Sequence, residues 1–324
     1  MSDAEQGLAH AETSRRTLLR NSILAASFVV TYGSANAQQQ ELPMPINDDR
    51  DVVWTPIPVP EQVPQTEGMV DVGDGVELWY WDTRGDGPAV VLMHAGTGSA
   101  AMWGYQQPAF ARRGYRVIAY SRRGHYKSSQ GSRENPGNGA EDLDKLLGHL
   151  DLRKIHLVAA AHGGSFAIDY VLVHPEKVQS LTILSSLMGI TDPDYTAVNA
   201  RIRPKFFADL PHSFQELGPS YRAGDPDGVA LWEALVKEAV LGTRVEQKLG
   251  QPLTWRLLET IRTPTLLMTG GADLYVPPVL LRMQAEHIRH AEVRIIGEAG
   301  HWANWERPDR FNELMLGFLD RNRV

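Results

Sequence analysis

A chain of 324 residues with 43% hydrophobic and 22% charged positions has the makeup of a globular protein, long enough for one large core plus an insertion. Its net charge of -7, without a basic stripe, argues against nucleic acid as a partner, and isolated Arg-Arg pairs read as solvated surface. The absence of cysteine excludes disulfide frameworks, thiol catalysis and Cys-ligated metals together.

Residues 1–37 read as an export signal. Ser14-Arg15-Arg16-Thr17-Leu18-Leu19 precedes an apolar stretch from Ile23 to Tyr32 and an Ala35-Asn36-Ala37 cleavage pattern. The apolar stretch is too short to span a bilayer stably, so no stable membrane anchor is expected. The paired arginines beside Leu-Leu resemble the twin-arginine type, which implies a periplasmic or secreted protein. Residues 38–65, with Pro43, Pro45, Pro56, Pro58, Pro60 and Pro64, read as an extended arm.

From residue 66 the pattern alternates. Met69 to Val72 and Val76 to Asp82 flank Gly73-Asp74-Gly75, a hairpin signal. Ala89-Val90-Val91-Leu92-Met93-His94 is a continuous apolar run, as expected of a strand buried on both faces of a parallel sheet. A helical stretch through Ala111, a strand from Tyr115 to Tyr120 and a helix with Leu143, Leu146, Leu147 and Leu150 on one face follow. Strands at Ile155 to Ala160 and Ser180 to Leu184 continue the series. The expected fold class is α/β: a doubly wound, mostly parallel sheet. Its core spans 66–186 and 264–324, with strands Pro264 to Thr269 and Glu292 to Ile296 and a final helix. Between 187 and 263 strand signals vanish and helical stretches carry Phe206, Phe207, Trp232, Leu235, Trp255 and Leu258, which predicts an inserted helical cap.

The chemistry is expected at Ile155 to Gly164. There an apolar run ends in small residues and a Gly-Gly pair before a helical pattern begins, as a strand does when it turns sharply into a helix. In the elbow G-x-S-x-G the reactive residue occupies the tip, and its neighbours are small because the two backbones nearly touch. Ala159 and Gly163 supply the small residues, so the tip falls on Ala161, with a methyl group in place of a nucleophile. Gly163-Gly164-Ser165-Phe166-Ala167 also fits small-x-Ser-x-small. Ser165, however, lies beyond the strand's end in the first helical turn, and Ala161 is preferred. Gly270-Gly271-Ala272-Asp273 follows the next-to-last strand and Ala299-Gly300-His301-Trp302 the last. Loops at the carboxyl ends of parallel strands meet at one edge, so Ala161, Asp273 and His301 are expected as neighbours. A serine hydroxyl is a poor nucleophile until an imidazole takes its proton, and the imidazole needs a carboxylate to hold its tautomer. His301 fits the base and Asp273 the acid, with Asp192 and Asp194 as fallback acids.

Leu92-Met93-His94-Ala95-Gly96, Gly114 to Tyr120 running into Arg122-Arg123-Gly124, Gly271-Ala272-Asp273 and Gly300-His301 together resemble the α/β-hydrolase superfamily, in its esterase, lactonase and cofactor-free haloperoxidase branch. The resemblance covers about residues 66 to 322. It implies an oxyanion hole from the backbone N–H groups of His162 and Gly96. Ala95, Ser121 and Ala161 depart from the family pattern, and only Ala161 removes a reacting group. The resemblance therefore implies an ester or lactone hydrolase of an apolar small molecule, silenced as a Ser-to-Ala variant would be, with a natural non-catalytic relative second. Trp103, Met188, Phe206, Trp232, Trp255 and Trp302 are the candidate pocket residues; Trp103, Trp302 and the cap aromatics also read as core, but as a set near the cap they suggest an apolar substrate. His94 and His162 read as loop-organising groups. His125, His212, His287 and His290 lack metal-ligand spacing, so neither metal nor cofactor is expected. Two rival readings remain: a His/Asp-dyad dioxygenase or lyase without cofactor, and an NADP-dependent oxidoreductase. The latter would use Gly96-Thr97-Gly98-Ser99-Ala100-Ala101 as a loose dinucleotide fingerprint and Ser121-Arg122-Arg123 for a 2′-phosphate. Oligomeric state is not legible.

Overall fold

The structure, a computed structural model, describes residues 46–48, 55–242 and 245–323. The expected leader (1–37) lies outside the described residues, as does much of the 38–65 arm. The described strands are β1 (Ile46–Asp48), β2 (Thr66–Asp71), β3 (Glu77–Asp82), β4 (Ala89–Met93), β5 (Arg116–Tyr120), β6 (Ile155–Ala160), β7 (Val178–Leu184), β8 (Thr265–Gly270) and β9 (Glu292–Ile296). They form one sheet in the order β1-β9-β8-β7-β6-β4-β5-β3-β2. The β2–β3 and β3–β5 pairings are antiparallel and the others parallel.

The central strands read as unbroken apolar runs because both faces of the sheet are covered. Val91 and Met93 of β4 join Ile118, Leu157, Ile183 and Leu267 in one core; Val90 and Leu92 join Val117, Val158, Leu266 and Met268 in the other. The helices follow as α1 (Gln106–Arg112), α2 (Gly139–His149), α3 (His162–Val173), α4 (Pro193–Ile202), α5 (His212–Glu216), α6 (Pro219–Gly224), α7 (Pro226–Ala239), α8 (Trp255–Leu258), α9 (Pro278–His287), α10 (Ala303–Glu306) and α11 (Pro308–Arg321). Leu143, Leu146 and Leu147 of α2, Phe166 of α3 and Leu280 of α9 fill the first core; Phe110 of α1 and Phe311, Met315 and Phe318 of α11 fill the second. Asn138 caps α2 by accepting from the N–H groups of Ala140 and Glu141.

Between 187 and 263 the described residues form α4 to α8 with isolated bridges but no strand. Prolines open α4, α6 and α7, where a missing N–H costs nothing. This segment is bound to the core through a buried fork: Arg123 meets both oxygens of Asp142 at 2.7 Å, and Gln247 donates to the same carboxylate at 2.8 Å. The end of the arm runs along α1. Tyr105 donates to the Ile57 carbonyl (2.6 Å), and Gln107 both accepts from the Val63 N–H (3.0 Å) and donates to the Val63 carbonyl (2.8 Å).

Two sequence expectations need correction. The helical stretch after Gly98 is split: a four-residue 3-10 turn (Ala100–Trp103), capped by Ser99, precedes α1. Arg122 and Arg123 are not solvated surface; each is 3% exposed. Both changes remove what the dinucleotide reading needs. No α-helix N-terminus follows the Gly96 loop to receive a pyrophosphate, and Arg123 is spent on Asp142. Among the described residues no helix is long and apolar enough to cross a membrane.

Candidate active site

Ala161 lies between β6 and α3 with φ 47° and ψ -118°, a conformation that L-residues rarely adopt and that costs on the order of 1–3 kcal/mol. Its N–H donates to the Leu184 carbonyl at 2.8 Å, tying the apex to the end of β7. The glycines that follow are there for space. A Cβ on Gly163 would sit 2.7 Å from the His94 carbonyl oxygen, and one on Gly164 would sit 2.4 Å from Ser186 Oγ. Gly163→Ala is therefore expected to cost about 3 kcal/mol, since a backbone oxygen cannot swing aside. A lowered urea midpoint at unchanged slope would show it; an unchanged midpoint would refute the tight apex.

Asp273 and His301 meet in the loops after β8 and β9. His301 Nδ1 lies 3.0 Å from each oxygen of the Asp273 carboxylate. That carboxylate also accepts from the N–H groups of Tyr275 (2.7 Å) and Val276 (2.9 Å) and from Thr269 Oγ1 (3.0 Å), so its orientation is fixed. Burial would raise the Asp273 carboxyl. The His301 charge and hydrogen bond, with the Val276 N–H, outweigh it and hold the group below the usual carboxylate range. Burial likewise pulls His301 down, but the charge and hydrogen bond of Asp273, with the charge of Glu216, leave it above the ordinary histidine value. With Nδ1 turned to Asp273, the other ring nitrogen is the one available for proton transfer.

The backbone around this pair is packed too closely for side chains. A Cβ on Gly300 would fall 2.4 Å from the Gly218 nitrogen, and one on Gly270 would fall 2.1 Å from the Gly300 oxygen. Glu306 of α10 holds these loops together, accepting from the N–H groups of Gly218 (2.8 Å), Gly300 (3.0 Å) and Trp302 (3.3 Å). Burial pushes its carboxyl up from 4.5 to about 7, although those three donors favour the charged form. A raised carboxyl keeps its proton longer in the folded state than in the unfolded one. Its contribution is thus complete below about pH 4.5 and lost as pH rises through about 7, on the order of 3 kcal/mol. Glu306→Gln is expected to flatten that part of the stability curve, measured as denaturant midpoints at about pH 5 and about pH 8. An identical pH slope in the variant would contradict the assignment.

The loop after β4 is shaped by His94, fully buried. Its Nε2 accepts from the Arg122 N–H (2.9 Å), which leaves Nδ1 to donate to the Ala95 carbonyl (2.6 Å). Burial first, then the Arg122 charge, holds its pKa well below the ordinary value, so the ring is neutral and structural. His125 sits against it with ring centres 4.5 Å apart and meets the Gly96 carbonyl at 3.2 Å.

A cavity of about 460 Å³ opens on these loops. Ala161, His162, Gly96, Thr97 and His301 line it together with Ser165, Ser185, Leu187, Gly189, Glu216, Gln247, Leu249, Tyr275 and Val276. The structure thus brings the elbow, the base and both expected oxyanion positions to one space, with Asp273 behind His301. Ser165 also reaches it, one turn into α3. None of the six expected pocket residues lines this cavity. Trp103, Trp232, Trp302 and Met188 are at most 1% exposed in the two cores. Trp232 and Trp302 pack edge to face on each other. Trp255 is clamped between Tyr195 and His287, and Phe206 is 64% exposed beside Lys205. The tryptophan rings have more area to bury than the cavity wall offers, so the cores took them, whereas Phe206 stays at the surface. Asp192 and Asp194 are not acids of this site: Asp192 accepts from the Trp255 N–H (2.8 Å) and Asp194 from Trp255 Nε1 (3.0 Å). No cluster able to hold a metal ion occurs among the described residues.

Missed by sequence reasoning were Glu216, Tyr275, Leu187, Leu249 and Ser185. Tyr275 had a signal, two residues past the acid; its ring lies 4.6 Å from that of His301. Glu216 had none, since a single acid on a five-residue helix reads as surface.

A doubly wound, mostly parallel sheet with a sharp β6–α3 turn and a His–Asp pair at its carboxyl edge has the architecture of the α/β-hydrolase fold. A family model described as the alpha/beta hydrolase fold matches residues 88–218, and over that stretch the chain is similar to this family. Among curated proteins it is 29% identical to a 2-hydroxy-6-oxononadienedioate/2-hydroxy-6-oxononatrienedioate hydrolase of Burkholderia vietnamiensis, covering 77% of this chain and 94% of that one. It is also 29% identical to a non-heme chloroperoxidase of Kitasatospora aureofaciens, covering 76% of this chain and 98% of the other. Among solved structures, an N-acyl homoserine lactone degrading enzyme aligns at TM-score 0.63 and 25% identity, covering 78% of this chain and all of that one. A bromoperoxidase from Bacillus anthracis aligns at 0.61 and 24%, covering 79% of this chain and all of its own, a likeness of fold.

Proposed function

We propose that this chain is an ester or lactone hydrolase of the serine type in which Ala161 stands at the nucleophile position, leaving it catalytically silent with its binding cavity and base in place. The observation that carries this reading is the backbone of Ala161: φ 47° at the β6–α3 apex, opening on the cavity that His301 lines. A strained elbow is a device for presenting a side chain, and here the side chain presented is a methyl. The lactone-degrading structural relative supports a lactone or ester as substrate. The Burkholderia relative is named for a dicarboxylate, a nonadienedioate. The experiment is Ala161→Ser, assayed with p-nitrophenyl esters and lactones beside the unaltered chain. Turnover in neither form would leave a binding protein. The leader-like segment supports export to the periplasm or beyond.

A second reading, a cofactor-free dioxygenase or lyase, draws on the His301–Asp273 pair, which is complete as a general base without any hydroxyl beside it. It requires turnover by the unaltered chain that His301→Ala abolishes.

A further inference from the structure

One charged group in the cavity is left over by the triad. Glu216, the last residue of α5, is 2% exposed yet lines the cavity with Thr97 and His301. Two neutral donors meet its carboxylate, Thr97 Oγ1 (2.8 Å) and Trp302 Nε1, and both fall on Oε2. Among the described residues no donor is placed on Oε1, and no lysine or arginine pairs with the group or lines the cavity. Its backbone carbonyl accepts from the His301 N–H at 2.7 Å, so the carboxylate is held in fixed relation to the base. A buried carboxylate retains lone-pair sites for further donors, and one without a cation is costly unless those sites are filled. Apart from His162 and His301, the side chains of the remaining wall are aliphatic, aromatic or neutral polar, among them Leu187, Leu249, Val276, Tyr275, Ser185 and Gln247.

We propose that Glu216 sets substrate choice, accepting a hydrogen bond from a hydroxyl or ammonium group carried away from the scissile bond and rejecting substrates that place a carboxylate there. The inference rests on the hydrolase reading above, and it separates this chain from relatives named for dioates. A cavity whose wall holds the Glu216 carboxylate and which no lysine or arginine lines has no fixed cation to balance a second carboxylate; like charges brought together without water exclude one partner. A polar site built for a donor also discriminates against an apolar isostere, since one of its groups is then left unpaired.

The test uses one scaffold, methyl benzoate, with four para substituents: hydroxymethyl, aminomethyl, methyl and carboxylate. With Ala161→Ser, kcat/KM for the hydroxymethyl and aminomethyl esters is expected to exceed that for the methyl ester about tenfold or more, and that for the carboxylate about a hundredfold or more. Adding Glu216→Gln should erase most of the penalty on the carboxylate, chiefly through KM. An unchanged ranking in that double variant overturns the proposal, as does equal use of the carboxylate by Ala161→Ser alone. The same four esters are also titrated against the unaltered chain by calorimetry, which needs neither turnover nor the Glu216 variant. If Ala161→Ser hydrolyses none of them and no p-nitrophenyl acetate, the hydrolase reading fails, and the Kd ranking then decides the role of Glu216. Donor-bearing esters binding tightest uphold it. Failure of both to bind at millimolar concentration, or tightest binding by the carboxylate, overturns it.

Discussion

Ala161→Ser is expected to raise ester or lactone turnover about a million-fold over the unaltered chain, equivalent to about 8 kcal/mol of transition-state stabilisation. The size follows from what is already in place. The strained φ of 47° is present with alanine, so a serine there needs no backbone change to present its hydroxyl. Asp273 already carries His301 by two 3.0 Å contacts, and Gly96 and His162 already border the same cavity. On the proposed hydrolase reading a single oxygen is missing, and knockouts of a nucleophile in such constellations remove nearly all of the chemical acceleration while the rest of the site keeps its binding. Steady-state kinetics with p-nitrophenyl esters would read it, and a fluorophosphonate, losing fluoride, should transfer its phosphonyl group to the new serine and nowhere else. A restored serine that neither turns over esters or lactones nor takes the label would sink the nucleophile assignment. Label on Ser165, one turn further along α3, would move it there.

In that active background, Asp273→Asn is expected to lower kcat by about 10⁴ and to shift the acid limb of the pH profile. The imidazole must be neutral to take the serine proton, so kcat/KM rises with pH through the His301 pKa. Asp273 is the main group raising that pKa above the ordinary value, against burial, which lowers it. Removing the carboxylate's charge therefore moves the ascending limb to lower pH while the plateau collapses. The two effects in opposite directions distinguish loss of an orienting acid from loss of fold. Asp192→Asn serves as the control: its partner is the Trp255 N–H, and neither limb nor plateau should follow the Asp273 pattern. A large loss of kcat with the limb unmoved would mean that Asp273 acts only by packing. For stability the signs are complementary. The lowered Asp273 contributes at neutral pH and loses that contribution as pH falls through its depressed pKa; the raised His301 contributes below its unfolded value and loses it as pH rises through the folded one.

The parallel sheet, the sharp turn at Ala161 and the meeting of Asp273 with His301 were legible because each is written in local pattern. A strand buried on both faces must be apolar at every position, as β4 and β6 are. A sharp strand-to-helix turn must be flanked by residues without bulk, as Gly163 and Gly164 show by the contacts a Cβ would meet there. Loop residues after β8 and β9 must share an edge because parallel strands end together. The split of the helix after Gly98 was not legible, since Ser99 caps a turn only four residues long.

What the sequence by itself determined about this protein is its fold class and the place of its sharp strand-to-helix turn: periodicity and residue size are set by neighbours a few places along the chain, and the position of Ala161 at the tip follows from them. Only the tertiary structure decided which side chains face the cavity. Trp103, Trp232 and Trp302 were drawn into the cores by the area they bury, whereas Glu216 reached the cavity by bonds to Thr97, 119 residues away, and to Trp302, 86 residues away. No local pattern encodes such pairings, because they arise where the helices after β7 settle on loops from both ends of the chain.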